Sequence, residues 1–330
     1  MIARTIQSVI LALLVTACAQ TPATPAPTSA PPATATVRPS ATVLPPTATP
    51  APATVTAAST HRPTEIAPTA TALPAPESLS VFQLGMQEDA ERYQFALEHG
   101  ARFVTTPDAR AFYIVWYPPG ADTAEPPPMI VTLHGHGSFA FDEFFLWQPY
   151  AEERGYGIIA LQWWFGEGEK MEDYYLPHEI YEVFASAFTA EHVQPGTVLF
   201  HGFSRGSANS YGVTAIDTSL GQPYFALTVS NAGKAGTDFP INVDIANGKF
   251  GSQPFAGAHW VMVCGLHDPH PDRDGCPGMR EARDWVTLFG GTVDLLIEDP
   301  TGDHGAFHMN PDNVNAALDV FAERLAQAAR

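Results

Sequence analysis

From residue 78 onward, short apolar or β-branched runs alternate with longer segments in which apolar residues recur every three or four positions. Such short runs are typical of buried strands, and the longer segments are typical of helices that bury one face. Strands alternating with helices predict an α/β fold, with a mainly parallel sheet and helices on both faces. We predict strands at 102–105 and 111–117 (an antiparallel pair), 129–133, 157–162, 197–200, 225–230, 260–265 and 292–297, and helices at 87–99, 141–154, 177–192, 279–289 and 312–328.

Residues 1–18 have the pattern of an export signal. Arg4 places a positive charge near the start, and the apolar run 9–15 is too short to span a bilayer stably. The run leads into Val15-Thr16-Ala17-Cys18, which resembles the lipobox of bacterial lipoproteins, in which the cysteine is lipidated. The resemblance implies an extracytoplasmic protein held to a membrane by a lipid anchor on Cys18. A plain secretory signal with an incidental cysteine is the alternative.

The segment 19–77 is composed almost entirely of Thr, Pro and Ala. Between Ala19 and Pro76 it contains 14 of the 31 prolines of the chain. It cannot bury enough apolar surface to offset the entropy of ordering, so we predict a disordered, partly extended tether. The folded domain is then 78–330.

The charge of the chain narrows the range of partners. It has 35 Asp and Glu residues against 16 Lys and Arg. Only two of the acidic and three of the basic residues precede Ser78, so the domain carries 33 acidic and 13 basic side chains, a formal net charge of −20. Such a surface repels nucleic acid and anionic membranes. On this ground we expect no nucleic-acid partner. The expected substrate is a neutral molecule, or one that is presented on a neutral polymer.

The strongest chemical signal is Gly202-Phe203-Ser204-Arg205-Gly206, a G-x-S-x-G motif. An apolar run at 197–200 precedes it, and small residues that can begin a helix follow it. In a sharp strand-to-helix turn, glycines on both sides of the serine relieve backbone crowding, and the helix directs N–H groups toward negative charge developing at the hydroxyl. The pattern therefore predicts that Ser204 is a nucleophile.

A serine nucleophile needs a base, an acid to orient the base and N–H donors for the oxyanion. Asp268 follows the predicted strand 260–265, and His304 follows the last predicted strand. With the histidine–glycine loop 134–137 after an earlier strand, the order Ser, Asp, His resembles the α/β-hydrolase superfamily over essentially all of 100–330.

That resemblance implies that Ser204 is the nucleophile, His304 the general base and Asp268 its orienting carboxylate. The candidate oxyanion donors are the backbone N–H of Arg205 and one from the loop, at His136 or Gly137. Other residues stay open for two of these roles: Asp272, Asp274 and Glu298 for the acid, and His270 and His308 for the base. His134 and His201 are expected to brace and pack around the site.

Three aromatic residues, Trp163, Trp164 and Phe165, follow the strand predicted at 157–162. That strand should lie beside the one that leads into the histidine–glycine loop. The three rings are therefore predicted to form a substrate-binding wall at the rim of the site, where they could stack on a sugar or an aromatic acyl group. The alternative is that one or two of them pack beneath the loops.

Cys264 and Cys276 are twelve positions apart and could form a disulfide in an oxidising compartment, which we favour over two free thiols. The segment 270–281 also matches the spacing of a calcium loop, D-x-[DN]-x-[DN]-G-x₅-E, with histidine in the first position. A first imidazole ligand and a proline at position eight disfavour calcium, so we predict no metal and no cofactor. The residues of the pattern are His270, Asp272, Asp274, Gly275 and Glu281.

The leading hypothesis is a serine hydrolase that cleaves carboxylic esters through an acyl-enzyme. Within the superfamily, the export signal, the tether and the short His-Gly-x-Gly loop resemble feruloyl and acetylxylan esterases and polyester depolymerases. One alternative is a serine peptidase of related fold. The other is a non-catalytic surface lipoprotein that binds a glycan.

Overall fold

The computed structural model describes residues 79–237, 239–328 and 330. Their centre is an eight-stranded sheet in which nearly all side chains of the middle strands are buried. The strands are Arg102–Thr105 (β1), Phe112–Trp116 (β2), Met129–Leu133 (β3), Gly157–Leu161 (β4), Val198–Phe203 (β5), Phe225–Asn231 (β6), His259–Gly265 (β7) and Thr292–Asp299 (β8).

The spatial order of the strands is β1-β2-β4-β3-β5-β6-β7-β8. The six strands β4, β3, β5, β6, β7 and β8 run parallel to one another, whereas β1 pairs with β2 and β2 with β4 in antiparallel fashion. The prediction of a mainly parallel sheet that starts with an antiparallel pair is confirmed. Because the carboxyl ends of parallel strands meet at one edge, the loops after β3, β5, β7 and β8 converge there.

The helices lie between the strands. The predicted helix 87–99 covers the helix Ala90–Glu98 and the last two residues of an earlier helix, Val81–Glu88, whose first six residues were not predicted. The two helices meet at Asp89, the C-cap of one and the N-cap of the next. A short helix before β7 and another after β8 had no amphipathic pattern long enough to predict them. The helices are Val81–Glu88 (α1), Ala90–Glu98 (α2), Ala140–Arg154 (α3), Pro177–Ala190 (α4), Arg205–Ser219 (α5), Pro240–Ala246 (α6), Cys276–Leu288 (α7), Ala306–Met309 (α8) and Pro311–Ala328 (α9), with a 3₁₀ turn at Met171–Asp173.

Helices cover both faces of the sheet, as two successive side chains of β5 show. Phe200 points to one face, where its ring meets Phe184 of α4 at 5.7 Å between centroids. His201, the next residue, points to the other face and meets Trp147 of α3 at 5.1 Å. Successive side chains of a strand point to opposite faces, so a strand buried on both sides reads as a continuous apolar run.

A disulfide joins Cys264, near the end of β7, to Cys276, the first residue of α7. Both cysteines are fully buried, and their Cα atoms are 5.1 Å apart. The bond closes the loop that contains Asp268. Closing a loop of this length removes disorder from the unfolded chain and contributes about 3 kcal/mol on the chain-entropy estimate.

The expected signal peptide 1–18 with Cys18 and the expected tether 19–77 lie outside the described residues. Between Leu79 and Arg330, none of the helices described has the length and apolar character needed to cross a membrane.

The double variant Cys264→Ala/Cys276→Ala should lose about 3 kcal/mol of unfolding free energy relative to the oxidised protein, because its unfolded chain is no longer constrained. Urea unfolding followed by circular dichroism measures the difference. The wild type in reductant is the matched control and should approach the double variant. Equal unfolding free energies for oxidised and reduced wild type would contradict the expected contribution of the bond.

Candidate active site

Ser204 occupies a strained turn between β5 and α5. Its φ is 52° and its ψ is −113°, a conformation that is rare for a residue with a side chain. A Cβ on Gly202 would lie 2.4 Å from the carbonyl oxygen of Gly206, and one on Gly206 would lie 2.6 Å from that of Leu133. The two flanking glycines are therefore required by backbone contacts, as the motif predicts.

His304 hydrogen-bonds two of the predicted residues at once. Its Nε2 lies 2.9 Å from Ser204 Oγ, and its Nδ1 lies 2.7 Å from Asp268 Oδ2. The carboxylate of Asp268 is buried, while the imidazole is about one-third exposed. An imidazole that donates from Nδ1 to a carboxylate keeps Nε2 free to accept a proton from the serine hydroxyl. The arrangement can therefore activate Ser204 as a nucleophile.

Asp268 is held by the backbone of its own loop. Its Oδ1 accepts a hydrogen bond from the N–H of His270 at 2.8 Å. The other acids considered have other environments or partners: Asp272 is exposed, Asp274 lies near Asp268 and His304 but pairs with the neighbouring Arg273, and Glu298 pairs with a surface arginine of α7. Within the described residues, Asp268 is the one of the four candidate acids that hydrogen-bonds His304.

The loop that carries His304 is anchored by Asp299, at the end of β8. Its carboxylate accepts hydrogen bonds from the N–H groups of Thr301 and Gly302 and from the amides of Asn310 and Asn313, at 2.7–2.9 Å. The bond from Asn310, followed by that from the Thr301 backbone, holds the pKa of this carboxyl well below its usual range. Sequence reasoning missed this residue, because an acid at a strand end carries no sign of the partners it will meet.

The loops that carry Asp268 and His304 also contact each other. The N–H of His267 donates to the carbonyl of Gly302 at 2.9 Å. A Cβ on Gly265 would lie 2.1 Å from the carbonyl oxygen of Asp303, so glycine is needed where β7 passes under the loop of His304. This contact fixes the distance between the two loops that bring Asp268 and His304 together.

A buried polar cluster lies under the turn, on the α3 side of the sheet. Thr132 donates to Glu143 at 2.6 Å, and His201 Nδ1 lies 3.3 Å from the same carboxylate oxygen. Burial alone would raise the pKa of Glu143, but the hydrogen bond and charge of His201 outweigh it and lower the pKa to about 2. His201 therefore packs beneath the turn, as expected.

The two remaining histidine candidates for the base do not hydrogen-bond Ser204 in the described structure. Burial lowers the pKa of His308 to about 4 and favours a neutral ring that contacts Trp147 and Phe307. His270 contributes its backbone N–H to Asp268. His134 is fully buried, its Nδ1 2.8 Å from the Gly135 carbonyl, and burial lowers its pKa to about 4.

The candidate oxyanion donors lie at the first residue of α5 and in the loop after β3. Arg205 is the first helical residue, so its N–H has no acceptor one turn back within the helix. The N–H of Gly137 donates to the hydroxyl of Tyr174 at 3.2 Å, and His136 Nδ1 lies 2.9 Å from the same hydroxyl. The proposal of Gly137 as a donor is therefore corrected, because its N–H already has a partner. The N–H groups of His136 and Arg205 remain candidates.

The predicted aromatic wall is corrected as well, because none of its three residues lines the cleft beside Ser204. Trp163 is fully buried and donates from Nε1 to the carbonyl of His134 at 3.0 Å. Trp164 forms a β-bridge with Tyr174, and the ring of Phe165 packs against that of Tyr175, the residue after Tyr174. The segment that contains Tyr174 covers these rings, and no local pattern revealed that it would fold over them.

The cleft beside Ser204 has a volume of about 420 Å³. It extends from the loop after β3 across the start of α5 to the segments after β6 and β7. It is lined by His136, Ser204, Arg205, Ala208, Lys234, Gly236, Thr237, Phe239, Arg273 and Asp274.

The residues of the calcium-like pattern have other contacts. Asp274 pairs with Arg273, Glu281 pairs with Lys234, and Gly275 is the N-cap of α7. Within the described chain, these groups do not converge on a common centre.

No protein-family profile and no curated protein matches the sequence. Similarity appears among solved structures. An esterase/lipase from an uncultured bacterium aligns with a TM-score of 0.51 and 14% identity, covering 79% of this chain and 95% of that one. A fungal esterase from Rhizomucor miehei aligns at 0.53 and 13%, covering 77% and 92%, and a bacterial heroin esterase at 0.50 and 13%, covering 72% and 89%. At such identities the likeness is one of fold, and that fold is the α/β-hydrolase fold.

Asp299→Asn should lower the unfolding free energy by about 1–3 kcal/mol at pH 7, because an amide presents N–H groups to those of Asn310 and Asn313. The folded-state pKa of Asp299 is depressed. Its stabilisation is therefore present above about pH 4 and is lost on further acidification. Urea unfolding between about pH 3 and pH 7 should show the gap from wild type narrowing toward low pH.

Asp272→Asn, which alters an exposed carboxylate, is the matched control. It should follow the wild type throughout. A gap for Asp299→Asn that stays constant with pH would contradict the role given to its charge.

Proposed function

We propose that this protein is a serine hydrolase that cleaves carboxylic esters. The observation that carries the proposal is the pair of hydrogen bonds from His304, 2.9 Å to Ser204 and 2.7 Å to Asp268, at a strained turn bordering a cleft. The α/β-hydrolase fold supports it, and so does the fact that the structural neighbours are described as esterases.

In the proposed reaction, Ser204 Oγ attacks the ester carbonyl carbon while its proton passes to His304 Nε2. Asp268 stabilises the imidazolium through Nδ1–H, and the N–H groups of Arg205 and His136 donate to the oxyanion. Collapse of the tetrahedral intermediate breaks the bond to the alcohol, which leaves with the proton from His304. Water, deprotonated by the same imidazole, then attacks the acyl-enzyme and releases the acid and the free serine.

Ser204→Ala should abolish both fluorophosphonate labelling and turnover of p-nitrophenyl acetate, since the attacking oxygen is removed. Asp268→Asn should lower kcat by several orders of magnitude, because an amide can stabilise the wrong tautomer of His304. Asp272→Asn is the control for the acid and should stay near wild type.

The outcomes separate the alternatives. An unlabelled wild type would favour the glycan-binding lipoprotein. Labelling with turnover of peptides and none of esters would favour the peptidase. Full activity of Asp268→Asn together with loss of activity in Asp274→Asn or Glu298→Gln would show that the acid has been misassigned.

We further propose that the protein is extracytoplasmic and held to a membrane by a lipid on Cys18, with 19–77 as the tether. The proposal rests on the signal-like pattern of residues 1–18. Cys18→Ser should move the expressed protein from the membrane fraction to the supernatant, because the acceptor thiol is gone, with the same specific activity in both forms. Immunoblots of fractionated cells measure the shift, and unchanged fractionation would contradict lipidation.

A further inference from the structure

The cleft beside Ser204 has a charge opposite to that of the domain around it. Three of the thirteen basic residues of 78–330 line it, Arg205, Lys234 and Arg273, and one acid among the lining residues, Asp274, accompanies them. The rest of the domain is strongly acidic. Charges more than about 8–10 Å away are largely screened at physiological ionic strength, so a bound ligand responds chiefly to these local groups.

Arg205 contributes most to this local charge. Its guanidinium lies over the ring of Tyr174 at 4.1 Å, and Nη1 donates to the backbone carbonyl of Glu169 at 3.1 Å. These contacts position the group without neutralising it. Within the described residues, no carboxylate oxygen lies within 4 Å of its nitrogens, and its buried Nε has no hydrogen-bond partner. Its Nη2 makes only long contacts, 3.5 Å to the carbonyl of Lys170 and 3.7 Å to Met171 Sδ. A carboxylate forms stronger, charge-assisted hydrogen bonds with a guanidinium and can replace such contacts.

The other charges of the cleft largely pair with each other. Arg273 and Asp274 form an ion pair at 2.6 Å. Lys234 pairs with Glu281, but that carboxylate is about two-thirds exposed, and a surface pair of this kind contributes little. Glu169 is more exposed still, with its side chain 85% accessible. Among the residues that line the cleft, the excess charge is therefore positive and centred on Arg205, with Lys234 as a second donor.

We propose that the preferred substrates are esters that carry a carboxylate, which Arg205 binds with help from Lys234. This inference rests on the proposed ester hydrolysis at Ser204. Arg205 follows the nucleophile directly and lines the same cleft, so a carboxylate bound there belongs to the molecule whose ester bond lies at Ser204. The neutral substrate expected from the net charge of the chain is thereby replaced, because the local field in the cleft outweighs the screened charge of the surface.

A purely structural role for Arg205 makes a different prediction. Its bonds to the carbonyls of Glu169 and Lys170 and its contact with Tyr174 also tie the segment 169–174 to α5. If that were its whole function, removing the side chain would slow charged and neutral esters alike. The ratio of their rates therefore separates substrate recognition from support of the loop.

The test uses two isosteric pairs, and hydrolysis is followed by chromatography. Methyl 4-carboxybenzoate and methyl 4-carbamoylbenzoate place the charge in the acyl part, and 4-acetoxybenzoate and 4-acetoxybenzamide place it in the alcohol part. In at least one pair, kcat/KM for the carboxylate should exceed that for the amide by about ten- to a hundredfold, the range for a charge-assisted hydrogen bond. Raising NaCl from about 20 to about 500 mM should reduce this ratio.

Arg205→Gln should bring the ratio close to one, and Lys234→Gln should lower it in the same direction. Lys249→Gln is the matched control, because Lys249 is an exposed lysine that pairs with Asp244 and does not line the cleft. Its ratio should equal that of the wild type. If Arg205→Gln does not fold, Lys234→Gln and the salt series still test whether the positive charge of the cleft causes the preference for the carboxylate.

Two results overturn the inference. One is a wild type that hydrolyses the amides at least as well as the carboxylates in both pairs. The other is a carboxylate preference that survives in Arg205→Gln and Lys234→Gln. If p-nitrophenyl acetate is hydrolysed but neither pair shows a preference for the carboxylate, the inference is overturned and the proposed function stands. If no ester is hydrolysed, the proposed function itself is overturned.

Discussion

The left-handed backbone of Ser204 is the constraint on which the site depends. A residue with a side chain pays about 1–3 kcal/mol for such a conformation, and it persists only when the surroundings enforce it. Here a parallel strand enters the turn, a helix leaves it, and glycines allow backbones to approach within contact distance on both sides. Gly233 extends the constraint, since a Cβ there would lie 2.2 Å from the carbonyl oxygen of Ser204. The sheet and α5 thus hold the hydroxyl toward the cleft.

The rest of the proposed machinery is carried on loops, which need separate supports. Asp299 anchors the loop of His304 through four short hydrogen bonds, and the disulfide of Cys264 closes the loop of Asp268. A direct backbone bond joins the two loops. Beneath the turn, the buried carboxylate of Glu143 accepts a hydrogen bond from Thr132 and lies 3.3 Å from His201 Nδ1, which matters in the core because an unpaired charge would be costly there. Interactions between residues distant in sequence therefore set the geometry of Ser204, Asp268 and His304.

Net charge and local charge lead to opposite expectations about the substrate. The acidic composition favours a neutral molecule, yet the cleft carries the unneutralised guanidinium of Arg205 beside the proposed nucleophile. Salt weakens the effect of distant surface carboxylates on a bound ligand, whereas a charge within a few ångströms of the ligand is screened much less. Tyr174 links this charge to the site, since its ring lies under the guanidinium and its hydroxyl holds the loop after β3.

The sequence by itself determined the α/β class, most strand positions and the strained turn at Ser204, because these follow from local periodicity and from glycine spacing. The sequence also indicated Asp268 and His304 as candidate partners of Ser204, because both follow strands and the carboxyl ends of parallel strands meet at one edge of the sheet. It did not reveal that Trp163 would be buried or that Gly137 would donate to Tyr174, and it suggested one helix where two meet at Asp89. Only the tertiary structure decided these points, because they depend on which distant segment covers a loop, and no periodicity along the chain encodes that contact.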